Sequence, residues 1–300
     1  MVNRRTGMTG EEKTAWLLMA PFLLLFAVFK LYPLLYGFSM SFFDRNSIKT
    51  ISDSTFVWFK NYASVFSDST TMGAFGRTVE FSLIQTLLTM TCALATALML
   101  NKKFKGRAAV RTMFYMPYVT NLIAIGVVWN YILNPYKGPV NRILMALGVA
   151  QEQLPLWLSG NSSALPVTAA INTWVGLAFP VITILAALQE IPITYHEVAD
   201  LEGATGWQRF RFIILPLLKP TLLFVLTITL IYSFKNYTVI MALTQGGPGL
   251  ATNVVSMQIY ADAFTYYRFG IASAESMLLT ALIFLVNLLV RKVKTNAEIF

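Results

Sequence analysis

The sequence predicts an all-α integral membrane protein with six transmembrane helices. Of 300 residues, 56% are hydrophobic and 12% charged, about half the charged share of an ordinary soluble domain. Six apolar stretches are long enough to cross a bilayer, whose hydrocarbon core of about 30 Å takes roughly 20 helical residues. The connections between them alternate between densely and sparsely basic. The formal charge of +9 is therefore read as topology. No basic stretch carries interleaved aromatics in a soluble context, so nucleic acid is not an expected partner. Cys92, the single cysteine, lies in an apolar run and offers neither an internal disulfide nor a metal cluster.

Taken in order, the apolar segments are 15–40, 78–100, 112–133, 164–188, 217–241 and 270–290. After Arg4, Arg5 and Lys13 the first run is long and aromatic-rich and lacks a small-residue cleavage site, so no cleavable signal peptide is expected. It is too long to lie wholly in hydrocarbon. Lys30 is expected to snorkel to the far interface, with the part beyond it continuing as an interfacial helix around Pro33. Six crossings place both termini, the loop 101–111 and the loop after the fourth segment on one side. That side carries 14 Lys and Arg against 7 on the other, and the positive-inside rule makes it cytoplasmic.

The outer connections differ in character. Residues 44–76 are rich in Ser, Thr and aromatics, while 134–163 contain Pro135, Gly138, Pro139, Pro155 and Trp157, the makings of an ordered, turn-rich cap. An abrupt turn, Thr244 to Gly249 (TQGGPG), follows the fifth segment. There is no low-complexity tract or clear internal repeat. The expected organisation is a cytoplasmic N-terminus, first helix and outer loop over 1–72, a five-helix core over 73–291, and a cytoplasmic tail over 292–300.

The chain is organised around residues 197–220, EVADLEGATGWQRFRFIILPLLKP, a charged interruption between two apolar segments. Glu197, Ala199, Asp200 and Glu202 make a small, acidic opening. Gly203 and Gly206 permit a bend. Trp207, Phe210 and Ile214 then recur at spacings of three and four and share a helical face, with Gln208, Arg209 and Arg211 elsewhere. Leu215 and Pro216 lead directly into the fifth segment, so a helix–turn–helix fastened to a membrane helix is expected.

The pattern Glu197-x-Ala199-x3-Gly203-x9-Ile213-x-Leu215-Pro216 resembles the EAA loop of permease subunits in binding-protein-dependent ABC importers. The segment Asn172-Thr173-Trp174-x-Gly176 and the turn Thr244 to Pro248 extend the resemblance over nearly the whole chain. They point to the larger maltose-type permease among the carbohydrate-uptake importers. Val198 and Asp200 depart from the eponymous Glu-Ala-Ala, and Glu202 replaces a frequent Asp, with volume and charge largely kept.

The resemblance implies the type I ABC importer permease fold, with a cytoplasmic EAA coupling helix over 197–216 entering a cleft on a separate ABC ATPase subunit. Glu197 would make the ionic contact beside the small Ala199, Gly203 the bend, and Trp207 and Phe210 the packing anchors. It further implies a second homologous permease subunit, an extracytoplasmic solute-binding protein, a carbohydrate cargo, and a multi-pass place among the lipids of a bacterial or archaeal cytoplasmic membrane. The chain has no Gly-Lys dipeptide and hence no phosphate-cradling loop with its lysine. ATP and magnesium are expected on the partner ATPase, with no cofactor here. A surface amphipathic helix lying in lipid headgroups is the alternative reading of the hairpin.

Asn172, Val175, Gly176 and Phe179 fall at i, i+3, i+4 and i+7 of the fourth segment, hence on one face. Thr229, Ser233 and Asn236 make a polar stripe on the fifth. At about 1.5 Å of rise per residue, Asn172 and Ser233 reach similar depth in the outer half of the bilayer, where polar groups face a cavity or another helix. The resemblance implies that both hydrogen-bond sugar hydroxyls while Phe179 stacks on a sugar face. Interhelical packing is the alternative. Glu80 and Glu275, near outer helix ends, and Lys235, about 28 Å from the inner end of its helix, are expected to snorkel to water; a proton relay is the alternative. Pro117, Pro166 and Pro180 are candidate kinks.

No enzyme motif accompanies these features. His196, the only histidine, adjoins Glu197 in the hairpin, and metal-ligand spacing and a nucleophile elbow are absent. The remaining rival is a proton-coupled secondary transporter or channel, which shares the hydropathy but leaves the EAA-like loop unexplained.

Overall fold

The computed structural model describes residues 10–46 and 54–297, with side chains as far as 292. The expected basic positions Arg4 and Arg5 lie outside them, as do 298–300 of the tail. The chain divides into two compact units. One comprises the chain up to Ser67 together with Ala261–Met277; the other comprises Asp68–Tyr260 and the chain from Leu278.

In the first unit, α1 (Gly10–Phe26), a π-helical turn (Ala27–Leu31) and α2 (Tyr32–Met40) form one continuous run. Its most apolar window has no residue buried within the chain. Leu17, Leu18, Phe22, Leu24 and Phe29 all face outward, as expected of a helix that is hydrophobic all round and solvated by lipid. Lys30 sits exposed in the π turn. Beyond α2, a short antiparallel pair, β1 (Phe43–Asp44) with β2 (Thr55–Phe56), leads to α3 (Lys60–Ser67). The buried Asn61 ties α3 to the end of α2, its amide donating to the carbonyls of Ser41 at 2.8 Å and Phe43 at 2.9 Å. Asp262, wholly buried, pairs with Arg268, whose guanidinium lies over the Tyr266 ring.

The second unit is built on α4 (Ser69–Asn101). The helix begins nine residues before the apolar segment, because the Asp68 carboxylate caps it, accepting from the amides of Thr70 (3.1 Å) and Thr71 (3.3 Å). Its buried residues, among them Ala74, Thr78, Phe81, Gln85, Thr89, Ala93 and Ala97, recur every three or four positions. They are mostly small, which lets neighbouring helices approach closely in lipid. Against this face pack α8 (Ala164–Gly176), α9 (Ala178–Glu190) and α12 (Leu215–Phe234).

Three of the expected segments are broken, two of them beside the candidate kinks Pro117 and Pro180. Segment 112–133 is two helices, α5 (Arg107–Val119) and α6 (Leu122–Ile132), bent by 104°. Pro117 lies in the last turn of α5, and the Asn121 side chain caps α6 by accepting from Ile123 and Ala124. Segment 164–188 bends by 52° at Leu177. Pro180 has no N–H for the Gly176 carbonyl and its ring crowds that oxygen, so the helix restarts as α9. Pro166 kinks nothing, standing in the first turn of α8. The fifth segment stops at Phe234, and α13 (Thr238–Leu243) follows as a separate helix. By length and composition four helices can cross a membrane, or up to six if each bent pair is one span.

The connection 134–163 is ordered around Asn141 on α7 (Pro139–Ala146). Its amide donates to the carbonyls of Pro135 (2.9 Å) and Pro155 (3.1 Å), and its oxygen accepts from the Trp157 indole at 2.7 Å. In the turn after α13, Thr244 and Thr252 hydroxyls meet at 2.6 Å, and Thr252 also donates to the Gly247 carbonyl. Short α14 (Val255–Tyr260) and long α15 (Phe269–Ala297) complete the chain. The ionisable residues divide. Glu80 and Lys235 are exposed, but Glu275 is wholly buried, so it does not snorkel. Its neighbours Ala272 and Ala274 are buried too, so this stretch of α15 is packed within the protein and not at a wetted helix end.

Candidate functional site

The charged interruption folds into a braced hairpin. Its first arm is α10 (Ile193–Leu201). The arm ends because Gly203 takes the left-handed conformation, φ +68°. The Gly203 amide donates to the Asp200 carbonyl at 3.2 Å and the Ala204 amide to the Ala199 carbonyl at 2.9 Å, the paired bonds of a Schellman C-cap. Two residues later Thr205 starts the second arm, α11 (Gly206–Arg209), with a capping box. The Gln208 amide donates to the Thr205 hydroxyl at 3.3 Å, and the Gln208 side chain accepts from the Thr205 amide at 2.8 Å. Across the turn, Arg209 forms an ion pair with Asp200.

The second arm does not stop at the membrane. It passes through a π-helical turn, Phe210–Ile214, into α12, so that Gly206–Phe234 is one helical run. Pro216 has no N–H to give the Phe212 carbonyl, and the ladder widens just ahead of it, where the Leu215 amide reaches back to Phe210.

The five residues singled out in the hairpin fall in different environments. Glu197 is exposed on α10, and Ala199 is buried, small enough for the turn to close over it. Gly203 forms the bend, and nothing lies within 4 Å of where a Cβ would sit. Trp207 is 67% exposed, whereas Phe210 is half-buried behind it, with ring centroids 5.6 Å apart. Gly206 is not a bend; it opens α11 in ordinary helical geometry. Sequence reasoning overlooked Leu201, 87% exposed at the tip of α10, and Val198, 57% exposed. Leu201 lies one turn after Glu197 and three residues after Val198, so an acidic and apolar end of α10 is left uncovered among the described residues.

The expected cargo-path residues are only partly brought together. Asn172 and Val175 are buried on α8, Gly176 is half-buried at its end, and Phe179 is exposed on α9 beyond the bend at Leu177. The expected single face from Asn172 to Phe179 therefore does not exist as one straight stripe. Val175 packs with Ile125, Ile171, Val239 and Leu243. Gly176 differs from a packing glycine. Open space surrounds the position of its missing Cβ, whereas a Cβ on Gly126 would sit 2.6 Å from the Ala242 carbonyl oxygen. On α12, Thr229 and Ser233 are buried, and Ser233 donates to the Leu230 carbonyl at 2.9 Å. Asn236 lies beyond the end of α12, so the expected stripe shortens to Thr229 and Ser233.

Residues 85–296 match the family described as the binding-protein-dependent transport system inner membrane component. The chain belongs to this family. It is similar to the sn-glycerol-3-phosphate transport system permease protein UgpA of Agrobacterium fabrum, 32% identical over 89% of this chain and 90% of the relative. It is 33% identical to the trehalose/maltose transport system permease protein MalF of Thermococcus litoralis, over 91% of this chain and 90% of that one. Among solved structures, it resembles a bacterial ABC transporter involved in the import of the acidic polysaccharide alginate, with a TM-score of 0.82 at 25% identity over 95% of this chain and 97% of that chain. The MetNI methionine ABC transporter shares the fold more distantly, with a TM-score of 0.55 at 18% identity over 75% and 95%. The type I importer permease fold is thus established for this permease, and the secondary-transporter or channel reading falls away.

Proposed function

We propose that this permease carries a carbohydrate, or a related polyol or glycoside, across a bacterial or archaeal cytoplasmic membrane by alternating access, driven by ATP hydrolysed on separate ABC ATPase subunits. The supporting observation is the braced hairpin, which presents Glu197, Val198, Leu201 and Trp207 outward and continues without a break into α12. ATP and magnesium belong to the ATPase. A solute-binding protein delivers cargo to the outer loops, and a second homologous permease completes the pathway, paired about a twofold or pseudo-twofold axis. Both termini and the hairpin face the cytoplasm.

The hairpin works as a handle. From Trp207 to Ser233 the helical run spans roughly 40 Å at 1.5 Å per residue, so a displacement at the ATPase reaches the polar positions of α12 through one rod. Interfaces packed this closely switch between discrete arrangements rather than deforming continuously. Cargo passes Gly176, whose open flank separates it from the packing glycines, with the exposed Phe179 ring available to stack on a sugar face and Asn172, Thr229 and Ser233 to exchange hydrogen bonds with hydroxyls. The substrates for which these relatives are named, sn-glycerol-3-phosphate, trehalose, maltose and alginate, share the hydroxyl-bearing surface that such a lining suits.

Reconstitution of the chain with its ATPase, second permease and binding protein tests the reading. ATP-dependent accumulation of an oligosaccharide or polyol in proteoliposomes is expected. Accumulation driven by a proton gradient without ATP would overturn it.

A further inference from the structure

Between α5 and α9, beside the end of α4, the second unit holds an open cleft of about 150 Å3. Leu100, Phe114 and Val181 form an apolar wall, with Ile182 exposed at the rim. The polar residues of the lining include Arg111 and Gln189. Arg107, one turn earlier on α5, shares the face of Arg111. Nε and Nη2 of Arg107 and Nε of Arg111 are shielded from solvent and have no hydrogen-bond partner among the described residues. Such nitrogens carry a desolvation penalty until an acceptor reaches them.

The helix start sharpens the imbalance. α5 follows a left-handed Gly106, with no side-chain cap and no acidic residue in its first turn. The Arg107 guanidinium thus sits at the positive end of a helix dipole, where anions are favoured and cations are not, with Arg111 one turn further on. An anion placed there answers the orphaned nitrogens and the dipole together, and the planar forks of two arginines suit phosphate oxygens.

We propose that this cleft binds the phosphate of a net-anionic phospholipid, its acyl chain lying along the Leu100, Phe114 and Val181 wall. A basic pocket with an apolar wall between membrane helices fits such a headgroup and chain. Gln189 stands in the last turn of α9, just ahead of α10, so an occupied cleft braces the root of the hairpin and tunes coupling. That consequence rests on the proposed permease mechanism; the lipid binding does not.

The test uses the assembled transporter, delipidated in neutral detergent, with native mass spectrometry reading retained lipid and no ATP or cargo present. Phosphatidylglycerol is expected to remain bound several-fold more than phosphatidylcholine. The double variant R107Q/R111Q is expected to lose about tenfold of that retention, as removal of charge-assisted hydrogen bonds would. The charge-matched control K102Q/K103Q, at two exposed lysines, is expected to retain it within about twofold. Equal retention of both lipids, an equal loss in the control, or displacement of the lipid by millimolar inorganic phosphate would each overturn the proposal. Should R107Q/R111Q fail to assemble, a thermal shift of the wild-type complex decides. Stabilisation by phosphatidylglycerol over phosphatidylcholine supports the site, and no difference overturns it. Because no transport is measured, the result is independent of whether the hairpin couples to an ATPase.

Discussion

Arg209 on the second arm of the hairpin pairs with Asp200 on the first, closing the turn that Gly203 makes between them. Asp200 is 67% exposed, so the pair adds at most about 1 kcal/mol. Its value is in holding two arms at one angle. Arg209→Ala is expected to lower ATP-driven uptake by about threefold to fivefold with membrane insertion intact, and the charge exchange Asp200→Arg with Arg209→Asp to restore most of it. Uptake in proteoliposomes beside expression level checks both.

Gly203 and Gly206 separate backbone strain from simple flexibility. Gly203→Ala meets no atom within 4 Å but must hold φ near +68°, at a cost of about 1–2 kcal/mol. The expected result is a loss of uptake per ATP hydrolysed on the order of tenfold. Gly206→Ala, in ordinary helix with free space around it, is expected to be neutral or to stabilise by about 0.5–1 kcal/mol. Parallel ATPase and uptake assays distinguish them.

Gly126 and Gly176 separate packing from pathway. Gly126→Ala forces a Cβ against the Ala242 backbone and is expected to destabilise by about 1–3 kcal/mol, visible as a lowered thermal transition in detergent. Gly176→Val, entering open space, is expected to leave that transition within about 2 °C, roughly what 1 kcal/mol shifts a chain of this size, while reducing uptake.

Asn141 holds the connection 134–163 by three hydrogen bonds. Asn141→Ala strands the Trp157 indole N–H and two carbonyls, at about 1–3 kcal/mol. Faster limited proteolysis within 134–163 is the expected readout.

Much of the hairpin was legible because its signals are local. A glycine two residues ahead of a Thr-x-x-Gln box, placed between apolar segments, specifies turn, cap and helix with no tertiary information. Leu201 was missed because a leucine at helical spacing reads as core, and only packing reveals that nothing covers it. The break at Lys235 was missed because hydropathy continues across it. Pro180 was visible as a kink, yet its position just past Gly176, which puts Phe179 on a second rod, needs the backbone. Glu275 was misplaced for a similar reason: nearness to a helix end was taken as nearness to water, and the packing that buries it leaves no period in the sequence. The orphaned nitrogens of Arg107 and Arg111 lay hidden in what reads as a topological charge cluster.

The seat of the hairpin can be located directly. With Cys92, the single native cysteine, replaced by serine, Leu201→Cys places one thiol at the exposed tip of α10. In the assembled transporter, a short bifunctional cross-linker is expected to join this thiol to the ABC ATPase subunit, with a yield that changes on adding ATP. Labelling of the same thiol by a membrane-impermeant maleimide from the outer side of intact cells, with no cross-link to the ATPase, would contradict the coupling role.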